Sequence, residues 1–189
     1  MIRKATFEDI DAVEKIYEKI LTEEEEGRAS IGWQRGVYPS RQVALDALEK
    51  GTLFVLEVEE AAADRKLSVA EDSKAAHRIA AAAKIDQELV PIYRECKWEY
   101  PAPDSEVMIL HTLVVDPELS GRGYGKQFVK FYEDYALENG CRYLHMDTNA
   151  INAAARKLYK GLGYTEADIL PCVFNGIEGV KLVCLEKKL

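Results

Sequence analysis

No stretch of this chain approaches the ~20 consecutive apolar residues of a membrane-spanning helix, and its opening carries no apolar core of a secretion signal. A membrane anchor is therefore not expected. An excess of basic charge is also missing. Lys and Arg number 25 against 33 Asp and Glu, for a net charge of −8 and a pI of about 5.1. That balance argues against a general nucleic-acid or anionic-membrane surface and suits a cationic or amine partner better. The four cysteines (Cys96, Cys141, Cys172, Cys184) form no C-x-x-C pair and sit among mostly apolar neighbours. This is the pattern of reduced structural thiols in a cytoplasmic protein rather than of disulfides, and no metal site is expected. No internal repeat is visible.

What is present is enough apolar content, 48% of 189 residues, to bury a sizeable core in one domain spanning 1–189. Ile2 to Ala5 reads as a short strand, and Thr6-x-x-Asp9 as a capping box. The spacing of Ile10, Val13, Tyr17 and Ile20 predicts a helix. Its acidic end, Glu23 to Glu26, reads as solvated. A loop from Gly27 to Pro39 carries Trp33 and Tyr38, and Ser40 to Lys50 reads as a second helix closed by Gly51. Strands are expected at 52–58 and 79–85, separated by an Ala-, Asp-, Glu- and Lys-rich insertion at about 59–78. A loop at 94–105 with Trp98 leads to a central strand. Phe128, Phe131, Tyr132, Tyr135 and Ala136 predict a helix with one buried face, followed by a strand at 142–148, a helix at 152–162 and two closing strands. This order implies an α/β fold with a mixed, partly parallel central sheet flanked by helices.

The most informative stretch is Met108 to Gln127, MILHTLVVDPELSGRGYGKQ. A strand apolar on both faces ends at Asp116-Pro117; glycines follow at Gly121, Gly123 and Gly125, and then a helix opens. Glycine permits backbone conformations and close approaches that a Cβ blocks. The unpaired N–H groups of the first helical turn and the helix dipole then favour an anion. A Walker A loop fails, because Ser120 stands where its first glycine belongs and Gln127 where Ser or Thr is required. A dinucleotide fingerprint is a poor fit as well: the run is G-x-G-x-G and no βαβ unit precedes it.

Ser120-Gly121-Arg122-Gly123-Tyr124-Gly125 resembles the pyrophosphate loop of the GNAT superfamily of N-acetyltransferases, with Ser120 in place of the usual Gln or Arg. A second block, from Asn152 through Leu158-Tyr159 to Gly163-Tyr164, is similar to that family's N-x-x-A-x-x-L-Y helix and exit strand. The resemblance implies a GNAT-like fold, possession of acetyl-CoA as cofactor and transfer of its acetyl group to an amine. It implies that the pyrophosphate rests over Gly121, Arg122, Gly123, Tyr124, Gly125 and Lys126. The pantetheine arm would pair with Leu113, Val114 and Val115, with Asn152 and Tyr159 completing the cofactor set. Dimers are common in the family, so a homodimer is compatible with it.

Acyl transfer to an amine needs a base, stabilisation of the oxyanion and an acid for the leaving thiolate. Tyr159 falls at the motif tyrosine and is the acid candidate, although Ala155, Leu158, Tyr159 and Leu162 also form an apolar helical face on which it could simply pack. His111 is the base candidate. Counting by twos puts it on the face of Val107, Ile109, Leu113 and Val115. The His111-x-Leu113-x-Val115 stretch also resembles the arylalkylamine branch of the superfamily; a core histidine bonded to a carbonyl is the other reading. Glu106 and Glu99 are the reserve bases. Trp33, Tyr38 and Trp98 either shape an amine pocket or cover the core. Together these residues point to transfer onto the primary amine of a small molecule in a ternary complex. Modification of a protein N-terminus or lysine, a non-catalytic acyl-CoA-binding regulator and a purely structural domain are the alternatives.

Overall fold

The computed structural model describes residues 1–59 and 77–189. Seven strands form one sheet in the order β1-β2-β3-β4-β5-β7-β6: β1 Ile2–Lys4, β2 Leu53–Glu59, β3 His77–Asp86, β4 Val107–Val115, β5 Tyr143–Asn149, β6 Thr165–Phe174 and β7 Ile177–Lys188. All neighbours run antiparallel except β4 and β5. The helices are α1 Ile10–Glu25, α2 Arg41–Glu49, α3 Tyr124–Glu138 and α4 Ala153–Gly161. The expected mixed sheet is thus present. Of the expected insertion, Glu59 closes β2 and His77 and Arg78 open β3; residues 60–76 lie outside the described residues.

The helices form where apolar residues recur at helical spacing. In α1 Ile10, Val13, Ile16, Tyr17, Ile20 and Leu21 are all buried. With α2 they cover Leu53, Val55, Ala82 and Val114 on one face of the sheet. Phe128, Val129, Tyr132 and Ala136 of α3 bury against the opposite face, over Phe54, Ala81, Met108, Leu110, Leu144 and Met146. Farther along the first face, the segment 89–102 packs through Tyr93 on Val107, Ile109, Leu182 and Cys184.

Two features position the candidate functional region. The first is the parallel pairing of β4 with β5, which runs only from Val107–Tyr143 to Leu110–Met146. The Tyr132 hydroxyl clamps that paired half, reaching the carbonyls of Met108 at 2.6 Å and His145 at 3.0 Å. Beyond it the strands part. The second is a bulge at Thr112, whose φ of 52° lies in the left-handed region that β-branched residues avoid. The β3–β4 register slips by one residue there, from Lys84–His111 to Ala82–Val114.

The bulge inverts the strand's alternation. Met108 and Leu110 face α3, and past Thr112 it is Leu113 and Val115 that pack on that side while Val114 turns to α1. His111 therefore shares a face with Val107 and Ile109, but not with Leu113 and Val115 as period-2 counting predicts.

Another histidine of the sheet, His145, is 5% exposed, with neither ring nitrogen paired among the described residues. Trp98 stacks on it at 3.7 Å and 6°, and burial pulls its pKa from 6.5 down to about 4. Between those values the unfolded chain takes up a proton that the fold excludes, so stability falls as pH drops below 6.5 and levels off near 4. At 1.36 kcal/mol per unit the loss is on the order of 3 kcal/mol. Urea midpoints of the native protein and of His145→Phe, measured from pH 7 downward, test this: the variant should lose a large part of the acid sensitivity.

Candidate active site

A cavity of about 760 Å³ opens where β4 and β5 part. His111 through Val115 of β4, Asp147 to Asn149 of β5, Asn152 at the cap of α4, and Ala155 and Tyr159 of α4 contribute to its walls, with Trp33 and Tyr38 from the 27–39 loop. Eight residues singled out from the sequence thus come together: Trp33, Tyr38, His111, Leu113, Val114, Val115, Asn152 and Tyr159. On the β5 side the edge of β4 from His111 to Val115 has no strand partner among the described residues.

The glycine loop adjoins this edge. Ser120 lines the cavity, and Gly123, at φ 82°, is the N-cap of α3. The N–H groups of Gly123, Tyr124, Gly125 and Lys126 donate to no carbonyl among the described residues, the normal condition of a first helical turn awaiting an external acceptor. Among the described residues, no atom lies within 4 Å of where a Cβ on Gly121 or Gly123 would be. Gly125 has a different task. A Cβ there would sit 3.3 Å from Leu158 and 3.7 Å from Val115, so its absence lets α3 begin against both α4 and the end of β4.

Within the cavity, His111 Nε2 lies 3.1 Å from Asp86 Oδ1. Burial would raise the Asp86 carboxyl, but His111, Lys84 and the Glu88 N–H together hold it below its usual value. An ionised carboxylate favours the proton on the nitrogen that faces it, leaving Nδ1 of a neutral ring as the acceptor. The histidine is thus tied to a carboxylate on β3 rather than to a core carbonyl. Tyr159 is 6% exposed; burial and the charge of Asp147 keep its phenol protonated well above neutral pH. The packing and chemical readings of Tyr159 are compatible, because its ring packs in the core and it also borders the cavity. Asn152 caps α4 through its side chain, accepting the Ala155 N–H at 3.1 Å.

Three residues named from the sequence stand elsewhere. Trp98 stacks on His145 and donates its indole N–H to the Tyr93 carbonyl, so it covers the core and does not border the cavity. Glu106 is exposed in the turn before β4, and the N–H of Glu99 donates to Glu186 on β7; neither reaches the cavity. Short-range pattern did not reveal Asp86, Asp147 or Thr112. Asp147 accepts the Tyr93 hydroxyl at 2.7 Å, and Thr112 meets the Tyr38 hydroxyl. One signal was in reach: Asp147 is the one carboxylate in β5, which reads YLHMDTN.

The acidic end of α1 is not simply solvated. Glu24 accepts the N–H groups of Ile31 and Gly32, Glu23 and Glu26 hold Arg28, and Glu25 and Glu18 hold Arg35. These bonds fasten the loop that carries Trp33 and Tyr38. Gly32 lies against Asn149 so closely that a Cβ would come within 2.3 Å of its amide nitrogen.

Residues 53–164 match the model of the acetyltransferase (GNAT) family. An aminoglycoside N(6′)-acetyltransferase type 1 of Salmonella typhimurium is 30% identical over 64 residues, 34% of this chain and 44% of that protein. The [ribosomal protein bS18]-alanine N-acetyltransferase of the same organism is 37% identical over 60 residues, 32% of this chain and 40% of that one. The chain thus matches less than half the length of these curated relatives. Among solved structures, one described as an acetyltransferase of Salmonella typhimurium, with its cofactor acetyl-CoA, covers all of this chain and 93% of its own at a TM-score of 0.63 and 16% identity.

Replacing Glu24 by Ala would leave the N–H groups of Ile31 and Gly32 unpaired, at a cost of about 1–3 kcal/mol. Amide hydrogen exchange should then speed up across 28–36 while the amides of α3 keep their protection; equal acceleration in both would show that the carboxylate serves the whole fold instead.

Proposed function

Because this chain belongs to the acetyltransferase (GNAT) family, we propose that it transfers the acetyl group of acetyl-CoA to the primary amine of a small molecule, in a ternary complex. One observation carries the reading: the unpaired N–H row at Gly123–Lys126 adjoins the unpartnered edge of β4, and the cavity there also holds His111 and Tyr159. The N–H row and the dipole of α3 fit a pyrophosphate. The β4 edge fits an extended amide-bearing arm that adds as a pseudo-strand, next to Leu113, Val114 and Val115. Asn152 is spent on its helix, which leaves its amide N–H₂ for the arm.

The amine nitrogen attacks the thioester carbonyl carbon; the C–N bond forms and the C–S bond breaks. His111 Nδ1 takes the proton that the nitrogen loses, and Asp86 steadies the resulting imidazolium. Tyr159 donates its hydroxyl hydrogen to the departing sulfur and is reprotonated by the proton from the amine, so that the net transfer is from nitrogen to sulfur. Burial keeps the phenol neutral and able to donate at working pH. Loop residues Trp33 and Tyr38, in edge-to-face contact at 5.7 Å, bound the space left for the acceptor.

A small acceptor is supported by likeness to the aminoglycoside enzyme; the protein-alanine relative supports the second reading, a protein N-terminus. Release of CoA thiol, screened with small amines and with peptides, separates the two. Tyr159→Phe and His111→Ala should each lower kcat by about 10²–10⁴ while calorimetry still detects CoA. Slow background turnover left unchanged by both variants, with CoA still bound, would favour a module that binds acyl-CoA without catalysis.

A further inference from the structure

The proposed reaction uses His111 and Tyr159 but leaves Asp147 unemployed. This carboxylate is half-buried in the cavity wall. Its Oδ2 accepts the Tyr93 hydroxyl, and no described residue donates to Oδ1. The other acids along the cavity differ. Glu23 is paired with Arg28, Glu88 with Lys50 and Lys84, and Asp46 is exposed at the rim. Among the described lining carboxylates, Asp147 alone lies inside without a cation bonded to it. Burial pushes its pKa upward, against the pull of the Tyr93 hydrogen bond and the His111 charge. Oδ1 of this cavity-lining carboxylate is therefore open to a donor from outside the chain.

Its surroundings fit an ammonium group. Tyr93 holds it, and Tyr38 and Tyr159 stand near enough for its charge to raise their phenols. A carboxylate among aromatic rings attracts an organic cation both by charge and through the ring faces. The reacting nitrogen, however, must be neutral to attack. A buried carboxylate against it would stabilise the ammonium and oppose loss of its proton. Asp147 is therefore mismatched to the reacting amine, whose proton the His111–Asp86 pair can accept, and matched to a cation that keeps its charge throughout.

We propose that Asp147 binds a second, non-reacting ammonium group of the acceptor, so that the acceptor is a diamine or larger polycation. This rests on the acetyl-transfer reading of the same cavity and adds a substrate class to it.

The test compares α,ω-diaminoalkanes of increasing length with monoamines and amino alcohols of the same length, using native protein and acetyl-CoA. At one or more lengths the diamine should exceed its monoamine in kcat/KM by about tenfold or more. In Asp147→Asn, which keeps an acceptor for Tyr93, that preference should collapse through a rise in KM for the diamine, with the monoamine moving far less. Monoamines equal to diamines at every length would overturn the proposal, as would an Asp147→Asn variant that loses both alike, since Asp147 would then serve the reacting nitrogen. The ladder on native protein decides the matter even if the variant does not fold. Calorimetry separates the two levels: acetyl-CoA bound but no diamine preferred sinks this proposal alone, and no acetyl-CoA bound sinks the acetyl-transfer reading beneath it.

Discussion

Parallel pairing between β4 and β5 holds for four residue pairs and then gives way, and the cavity lies on the open side of that point. Two interactions place the break. Tyr132 ties Met108 and His145 together just before it, and the bulge at Thr112 turns the end of β4 away just after it. A sheet that continued to pair would have no free strand edge and no room between the strands. The cavity is thus a consequence of backbone hydrogen bonds withheld, at a site where α3 and α4 supply helix termini and side chains around the gap.

The bulge also decides which groups meet. Had β4 kept strict alternation, His111 would lie on one face with Leu113 and Val115. Instead His111 stays on the face of Ile109, within reach of Asp86 on β3, while Leu113 and Val115 turn to the α3 side, where Val115 sits beside Gly125. Our proposal divides the work along this line. Leu113 to Val115 and the glycine loop hold the acyl donor, and His111, Tyr159 and Asp147 serve the acceptor and the proton traffic.

The helices, the partly parallel sheet and the glycine loop were legible because each depends on local periodicity or on glycine at fixed spacing. Phe128 through Ala136 repeat with the helical period, and that period alone buries them together. Tyr159 and the glycines were found by motif. Trp98 was left between pocket and core because an aromatic in a loop gives no sign of which neighbour it will stack on; the partner, His145, is 47 residues away in sequence. The acidic end of α1 was misjudged for a similar reason. Its carboxylates look solvated until the loop at 28–36 folds back onto them.

By itself, the order of residues determined the element types, the single polar-to-apolar pattern of each helix and the strand–glycine–helix junction, since these arise from interactions a few residues apart. Only the tertiary structure decided the bulge at Thr112, the His111–Asp86 pair and the Tyr93–Asp147 pair. Those depend on register between strands distant in sequence, where a slip of one residue exchanges the two faces of a sheet and no local preference records which register wins.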